Sequence, residues 1–196
     1  MGEDLRHAEI ERKTTEVDIH VSLTLEGEGL FQGGTGISFL DHMLVILCKH
    51  SSLDLSVKAQ GDLKHHLIED VGIAVGQAYS KALQERRGIR RFGFAYIPMD
   101  DALARAVVDL GGRSYPLIEL NTVRPKVEDL AVEDLEHFFT SLTEHLKANV
   151  HVEVVYGFND HHKVEAAVKA LALALKEAAT IQQDRREEIP STKGTL

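Results

Sequence analysis

Two copies of His-His-x-x-Glu occur in one chain of 196 residues, His65-His66-Leu67-Ile68-Glu69 and His161-His162-Lys163-Val164-Glu165. An acid–histidine pair set among apolar residues precedes each copy: Leu40-Asp41-His42-Met43-Leu44, 23 residues ahead of His65, and Leu135-Glu136-His137-Phe138-Phe139, 24 ahead of His161. On a helix, residues three or four apart share a face, so each Glu can join a His of its own motif. Imidazole nitrogens and carboxylate oxygens suit divalent transition metals. Adjacent histidines diverge by about 100° on a helix with ~3.6 residues per turn, so the members of a pair serve different ions. The donors His42, His65, His66, Glu69, His137, His161, His162 and Glu165, shared over two ions, give three His and one Glu to each. Open positions then remain in an octahedral shell, the mark of a catalytic rather than a closed structural site. Burying these groups with neither metal nor counter-charge would be costly, which weighs against a purely structural role.

Other polar clusters are less specific. Arg86, Arg87, Arg90 and Arg91 surround Gly88, Arg113 follows Gly111-Gly112, and the tail carries Ser191-Thr192-Lys193-Gly194. Arginine forks and flexible backbone amides suit phosphate, although no P-loop glycine pattern is present and each element alone reads as a solvated face. His7, His20 and His151 read as solvated side chains and His145 as structural, whereas His50 stays open between lining the site and packing. Cys48, the sole cysteine, lies in an apolar helical run and reads as core.

The donors need a scaffold, and the chain supplies one twice. Val17, Ile19, Val21, Leu23 and Leu25 alternate with polar residues as a half-buried strand, closed by the turn Glu26-Gly27-Glu28-Gly29. Helical spacing follows over Phe39 to Leu47, a strand over Leu53 to Lys58, and an Ala- and Gly-rich helix over Ile68 to Leu83. The later half predicts strands at Ala102 to Leu110, Pro116 to Leu120 and Val150 to Val155, with helices over Val132 to Leu146 and Val164 to Thr180. The fold class is therefore α+β, a tandem duplication of a unit with two helices on a mixed or antiparallel four-stranded sheet. The expected divisions are 1–92, 93–184 and a phosphate-binding tail at 185–196, with the second copy starting between Arg91 and Phe94.

Composition sets limits. With 43% apolar and 27% charged residues the chain is ordinary for a globular protein, and no run approaches a membrane span. A net charge of −9 argues against a broad nucleic-acid surface. A single cysteine and a charged start without an apolar signal core point to the cytoplasm.

Phe39-Leu-Asp-His-Met-Leu44, His65-His66-x-x-Glu69-Asp70, Gly88-Ile-Arg-Arg-Phe-Gly93, Pro98-Met-Asp-Asp-Ala-Leu103, Asp109-Leu-Gly-Gly-Arg113, Glu136-His-Phe-Phe139, His161-His-x-x-Glu-Ala166 and Pro190-Ser-Thr-Lys-Gly194, in this order, closely resemble the imidazoleglycerol-phosphate dehydratase family of histidine biosynthesis. Gly111 replaces the family's usual serine, Leu67 its usual threonine, and Lys64 precedes the first His pair where a neutral or acidic residue is commoner. The resemblance implies a duplicated fold of the ribosomal protein S5 domain 2-like kind, two Mn²⁺ per active site, and a homo-oligomer of 24 subunits with active sites at subunit interfaces. It implies loss of water from imidazoleglycerol phosphate to give imidazole-acetol phosphate, through an imidazolate or diazafulvene-like intermediate. By motif, the eight donors above become the metal ligands, and Arg91, Arg113, Ser191, Thr192 and Lys193 the substrate-phosphate group. Glu16, expected on the strand face opposite Val17, is the first candidate for proton transfer and a substrate contact, with Glu165 and His50 as the other catalytic candidates. The ligand types alone also permit a binuclear metallohydrolase or a metal-stapled oligomer without activity.

Overall fold

The computed structural model describes residues 5–196, so the first four residues of the 1–92 unit and of the charged start lie outside it. Strand β1 (His7–Lys13), β2 (Val17–Thr24), β3 (Phe31–Gly34) and β4 (Asp54–Gly61) form one sheet in the order β1-β2-β4-β3, with helices α1 (Ser38–Ser51) and α2 (Lys64–Ala82). Strand β5 (Phe92–Met99), β6 (Ala102–Asp109), β7 (Tyr115–Glu119) and β10 (Asn149–Tyr156) form the second, in the order β5-β6-β10-β7, with α3 (Val132–Leu146) and α4 (Asp160–Ala179). A small hairpin, β8 (Lys126–Val127) with β9 (Leu130–Ala131), leads into α3. Each sheet is antiparallel except at one edge, where β3 runs parallel to β4 and β7 parallel to β10. Shared strand order and shared parallel edge are the duplication written in space.

The expected alternation holds in β2, where Val17, Ile19, Val21 and Leu23 are buried. Three strands escape the pattern for physical reasons. Along β1 only Ala8 is buried, because most of its positions are charged and it forms a sheet edge. In β3 the sequence Phe-Gln-Gly-Gly reads as a turn, and Gly33 adopts φ +86° with a Cβ excluded by the Val57 carbonyl. In β5 the pattern is inside-out: Phe92, Phe94 and Tyr96 face outward, while Gly93 faces in because a Cβ there would lie 2.0 Å from the Ala174 carbonyl oxygen of α4.

The helices pair across the repeats, α1 against α4 and α2 against α3, over one continuous core contributed by both sheets. Gly72 and Gly76 let α2 approach α3 closely: an added Cβ would meet the Phe138 oxygen at 2.8 Å and the Leu142 oxygen at 2.5 Å. The start of α1 has no cap from Ile37, and Asp129 of the second repeat instead accepts from the backbone N–H of Ser38 and Phe39, each at 2.9 Å. Both motif helices begin four residues earlier than their apolar spacing indicates, at Lys64 and Asp160, which puts each His pair in the first turn. Cys48 is fully buried, and burial pushes its thiol up to about 12, so it is core and not a nucleophile. Among the described residues no helix is long and apolar enough to cross a membrane.

Alanine at Gly76 would gain about 1 kcal/mol of helix propensity. Its Cβ, however, would press on a backbone oxygen that cannot rotate away. Gly76→Ala should therefore destabilise by roughly 1–3 kcal/mol, read as a lower urea midpoint. An unchanged midpoint would show that the α2–α3 contact has slack.

Candidate metal centre

Cross-repeat pairing assembles donors that neither repeat holds alone. Where α1 meets α4, His42, His161 and Glu165 bring ligand atoms within 4.8 Å of one another, and where α2 meets α3, His65, Glu69 and His137 do the same. Glu165 Oε2 lies 3.6 Å from His42 Nε2 and 3.2 Å from His161 Nε2, and Glu69 Oε1 lies 3.3 Å from His137 Nε2. The rings of His65 and His137 meet edge-on at 5.1 Å. Each triad thus takes a histidine from the first helix of one repeat and a His–Glu pair, four residues apart, from the second helix of the other. Two imidazoles and one carboxylate fit a divalent transition ion and leave half of an octahedral shell open. Among the described residues no carboxylate belongs to both triads, contrary to the bridging that a binuclear hydrolase uses.

The remaining two donors of the expected eight stand apart. His66 turns Nδ1 toward Asp62 Oδ1 at 2.8 Å, and His162 turns Nδ1 toward Asp101 Oδ1 at 2.6 Å. Their rings diverge from those of their neighbours, with centroids 6.3 Å and 6.2 Å away, as helix geometry requires of adjacent residues. The side-chain hydrogen bonds to Asp62 and Asp101 raise the pKa of both imidazoles. Asp101 is held well below the usual carboxylate range by His162 and by the backbone N–H groups of Asn159 and Phe158. The expectation of buried, unpaired imidazoles needs correction: the side chains of His42 and His65 are 49% and 52% exposed, so the desolvation argument does not apply within one chain. Glu165 is the most enclosed donor. Burial pushes its carboxyl up, but a hydrogen bond and charge from Lys169, with His161 and His42, outweigh that and hold it low.

Glu16 lies in the β1–β2 turn and not on a strand, so its placement opposite Val17 in the pleat is corrected. It is exposed, with Oε2 3.8 Å from His66 Nδ1. His50, two turns after His42 on α1, is half-buried, and burial lowers its pKa, with Lys169 adding to the effect. His145 has Nδ1 2.9 Å from the Ser141 carbonyl and His151 stacks on Tyr115, both away from the donors. His7 and His20 pair only with exposed neighbours.

The four arginines around Gly88 do not form one anion site. Arg86 is buried and donates to the carbonyls of Leu110, Leu146 and Lys147, closing the end of α3. Arg87 pairs with Glu85, and Arg90 with Glu177. Arg91 spends two donors on Asp109, at 2.7 and 3.1 Å, and one on the Pro190 carbonyl at 2.8 Å, tying the tail to the sheet. Two of its five N–H donors remain for a ligand. Arg113, Thr192 and Lys193 are exposed, and Ser191 Oγ accepts from the Lys193 backbone N–H. This basic group sits at the far end of α4 from the histidines. Arg91 N–H donates to the Ala178 carbonyl, 17 residues after His161. At 1.5 Å per residue that is about 26 Å, too far for one small substrate to touch both groups in a single chain. A cleft of 630 Å³, lined by Arg6, Tyr79 and Lys176 among others, also lies at that far end. A smaller cavity of 320 Å³, lined by Arg124, Lys126 and Glu128, opens beside His161 and His162.

Several participants were missed from sequence. Lys169, one turn after Glu165, holds its Oε1 at 2.7 Å, and helical spacing could have revealed it. Asp62, Asp134 and Glu128 come from turns and a neighbouring helix outside the quoted motifs, and Asp101 lies within Pro98-Met-Asp-Asp-Ala-Leu103 but carried no assigned role.

The profile of the imidazoleglycerol-phosphate dehydratase family matches residues 35–175. Imidazoleglycerol-phosphate dehydratase of Chloroherpeton thalassium is 50% identical over 194 residues, covering 97% of this chain and 98% of that one. That of Methanococcoides burtonii is 50% identical over 195 residues, covering 98% of this chain and all of the other. Among solved structures, the Staphylococcus aureus enzyme superposes with a TM-score of 0.82 at 34% identity, over 90% of this chain and 99% of that one. The Pyrococcus furiosus enzyme, in complex with (S)-C348, gives 0.81 at 35% identity, over 95% of this chain and all of the other. With such coverage from end to end, and with donor triads built by the duplicated motif, the chain belongs to the imidazoleglycerol-phosphate dehydratase family.

Proposed function

We propose that this chain is a hydro-lyase that removes water from imidazoleglycerol phosphate to give imidazole-acetol phosphate, a step of histidine biosynthesis in the cytoplasm. The observation that carries this reading is the pair of cross-repeat triads, two imidazoles and one carboxylate each, at the surface of a chain in this family. His42, His161 and Glu165 would hold one Mn²⁺ and His65, His137 and Glu69 the other, with His66 and His162, outside both triads, left to complete shells on neighbouring copies. A homo-oligomer of 24 subunits, with active sites where copies meet, accords with the roughly 26 Å between the donors and the basic group on α4.

When bound, the two dications supply positive charge that stabilises the electrons left on the substrate's imidazole as a carbon-bound proton departs. The residues divide the remaining work. Arg91, Arg113, Ser191, Thr192 and Lys193 from one copy hold the phosphate and fix the reacting carbons relative to the donors of another, lowering the entropic part of the barrier. Glu16, exposed beside His66, takes the carbon-bound proton on a carboxylate oxygen. Glu165 is less suited to that role, since Lys169 holds Oε1 while Oε2 faces His42 and His161. The proton that Glu16 takes can leave with the departing hydroxyl as water, and His50, half-buried and held toward its neutral form, is the remaining candidate to accept a proton.

Stripping metal with a chelator should abolish dehydration of imidazoleglycerol phosphate, and Mn²⁺ should restore it. Full activity in metal-free protein would end this mechanism, and metal-driven assembly without dehydration would favour the staple. Glu16→Gln should lower kcat by roughly 10²–10⁴-fold while Mn²⁺ binding persists, measured by steady-state kinetics and calorimetry. Lys193→Ala should raise KM about tenfold, equivalent to ~1.4 kcal/mol, with a smaller change in kcat. An unchanged KM would remove the tail from the phosphate group.

A further inference from the structure

Every histidine of the two pairs presents the same ring nitrogen to an acid. His65 Nδ1 lies 2.7 Å from Asp134 Oδ1, His66 Nδ1 2.8 Å from Asp62 Oδ1, and His162 Nδ1 2.6 Å from Asp101 Oδ1. His161 Nδ1 makes a longer approach, 3.2 Å, to Glu128 Oε1, while its Nε2 faces Glu165 in the triad. An ionised carboxylate can only accept, so the proton of neutral His65, His66 and His162 sits on Nδ1, whereas His161 has a carboxylate at 3.2 Å from either nitrogen. The lone pair is then left on Nε2, the atom that His42, His137 and His161 also turn toward their triads.

The acids are anchored in their turn. Asp101 Oδ2 accepts from the backbone N–H groups of Phe158 and Asn159, and Asp62 Oδ1 from that of Leu63. Asp134 sits in the first turn of α3, its side chain only 16% exposed.

The two repeats reach this arrangement from different positions. Asp62 stands three residues before His65, but the matching position before His161 is Phe158, an exposed aromatic that cannot accept. There the β5–β6 turn supplies Asp101 instead. The matching β1–β2 turn of the first repeat carries Glu16, which stays 3.8 Å from His66 because Asp62 already occupies Nδ1. A common ancestor would pass on one position, not two. Different positions thus bring an aspartate to the same ring nitrogen in the two repeats.

Building on the two-dication reading, we infer that Asp62, Asp101 and Asp134 are positioning residues that lock His66, His162 and His65 with Nε2 presented to a divalent cation. The use of Asp62 for this purpose leaves Glu16 unattached and available for proton transfer. Such partners of ligating histidines raise ligand basicity and fix ring orientation.

The test is calorimetric titration of Mn²⁺ into metal-stripped, full-length protein carrying Asp134→Asn or Asp101→Asn. Each should bind Mn²⁺ roughly 10–100-fold more weakly than native, with the melting temperature of the metal-free protein unchanged, and Asp134→Glu should recover most of the affinity. Asp101 also anchors two backbone amides, so Asp134, which has no backbone donor among the described residues, decides the matter if Asp101→Asn fails to fold. Native affinity in Asp134→Asn would overturn the proposal. Native protein that takes up no Mn²⁺ would instead remove the metal centre itself, and the positioning role with it.

Discussion

The whole arrangement depends on helices packing across the duplication rather than within it. If α1 lay on α2 and α3 on α4, each motif would meet only the acid–histidine element of its own repeat, and the triads would not join the two halves. Because α2 lies on α3 and α1 on α4, each acid–histidine element completes the motif of the other repeat. The approach of α2 to α3 is set by Gly72 and Gly76, and the start of α1 is held by Asp129 from the second repeat. The arrangement of the donors is therefore a consequence of inter-repeat packing.

The repeats share topology but have diverged where their environments differ. One turn after Glu165 stands Lys169, which holds the carboxylate; one turn after Glu69 stands Ile73, which is buried and holds nothing. The outward face of the first sheet is polar, through residues such as Glu9, Glu11 and Lys58, while that of the second carries Phe92, Phe94, Tyr96 and Val107. Two triads of identical ligand type thus sit in unlike electrostatic settings, and the two sheets do not offer equivalent surfaces. Exposed apolar residues in a contiguous group are what a surface covered in an assembly would show.

Much of this was legible in the residues, and the parts that were not have specific causes. Helix α3 could be read from its spacing because Leu135, Phe138, Phe139, Leu142 and Leu146 all face the core. The starts of α2 and α4 were read one turn late because that turn is polar, and its polarity belongs to the site. Strand β5 was missed because its large side chains face out and its inward position is the glycine that admits α4. Motif spacing identified the donors but not their partners, since periodicity describes one helix at a time and the triads belong to pairs. The anchoring aspartates were invisible for a similar reason: Asp62, Asp101 and Asp134 come from three kinds of element and reach their histidines only in three dimensions.

Helix electrostatics explains why so many acids gather there. Both His pairs occupy the first turn of a helix, where the macrodipole is positive and disfavours a cation by about 0.3–1 kcal/mol. The basic group lies near the end of α4, where the macrodipole is negative and disfavours an anion. Function and helix direction are opposed at both ends, and each end carries its own compensation. Asp62, Asp101, Asp134 and Glu128 surround the histidines and set negative charge against the positive end of the dipole. At the other end the backbone N–H groups of Arg90 and Arg91 satisfy the last carbonyls of α4, and Arg90 pairs with Glu177. The net charge of −9 is thus not spread at random: part of it is a local negative field gathered around the first turns of α2 and α4.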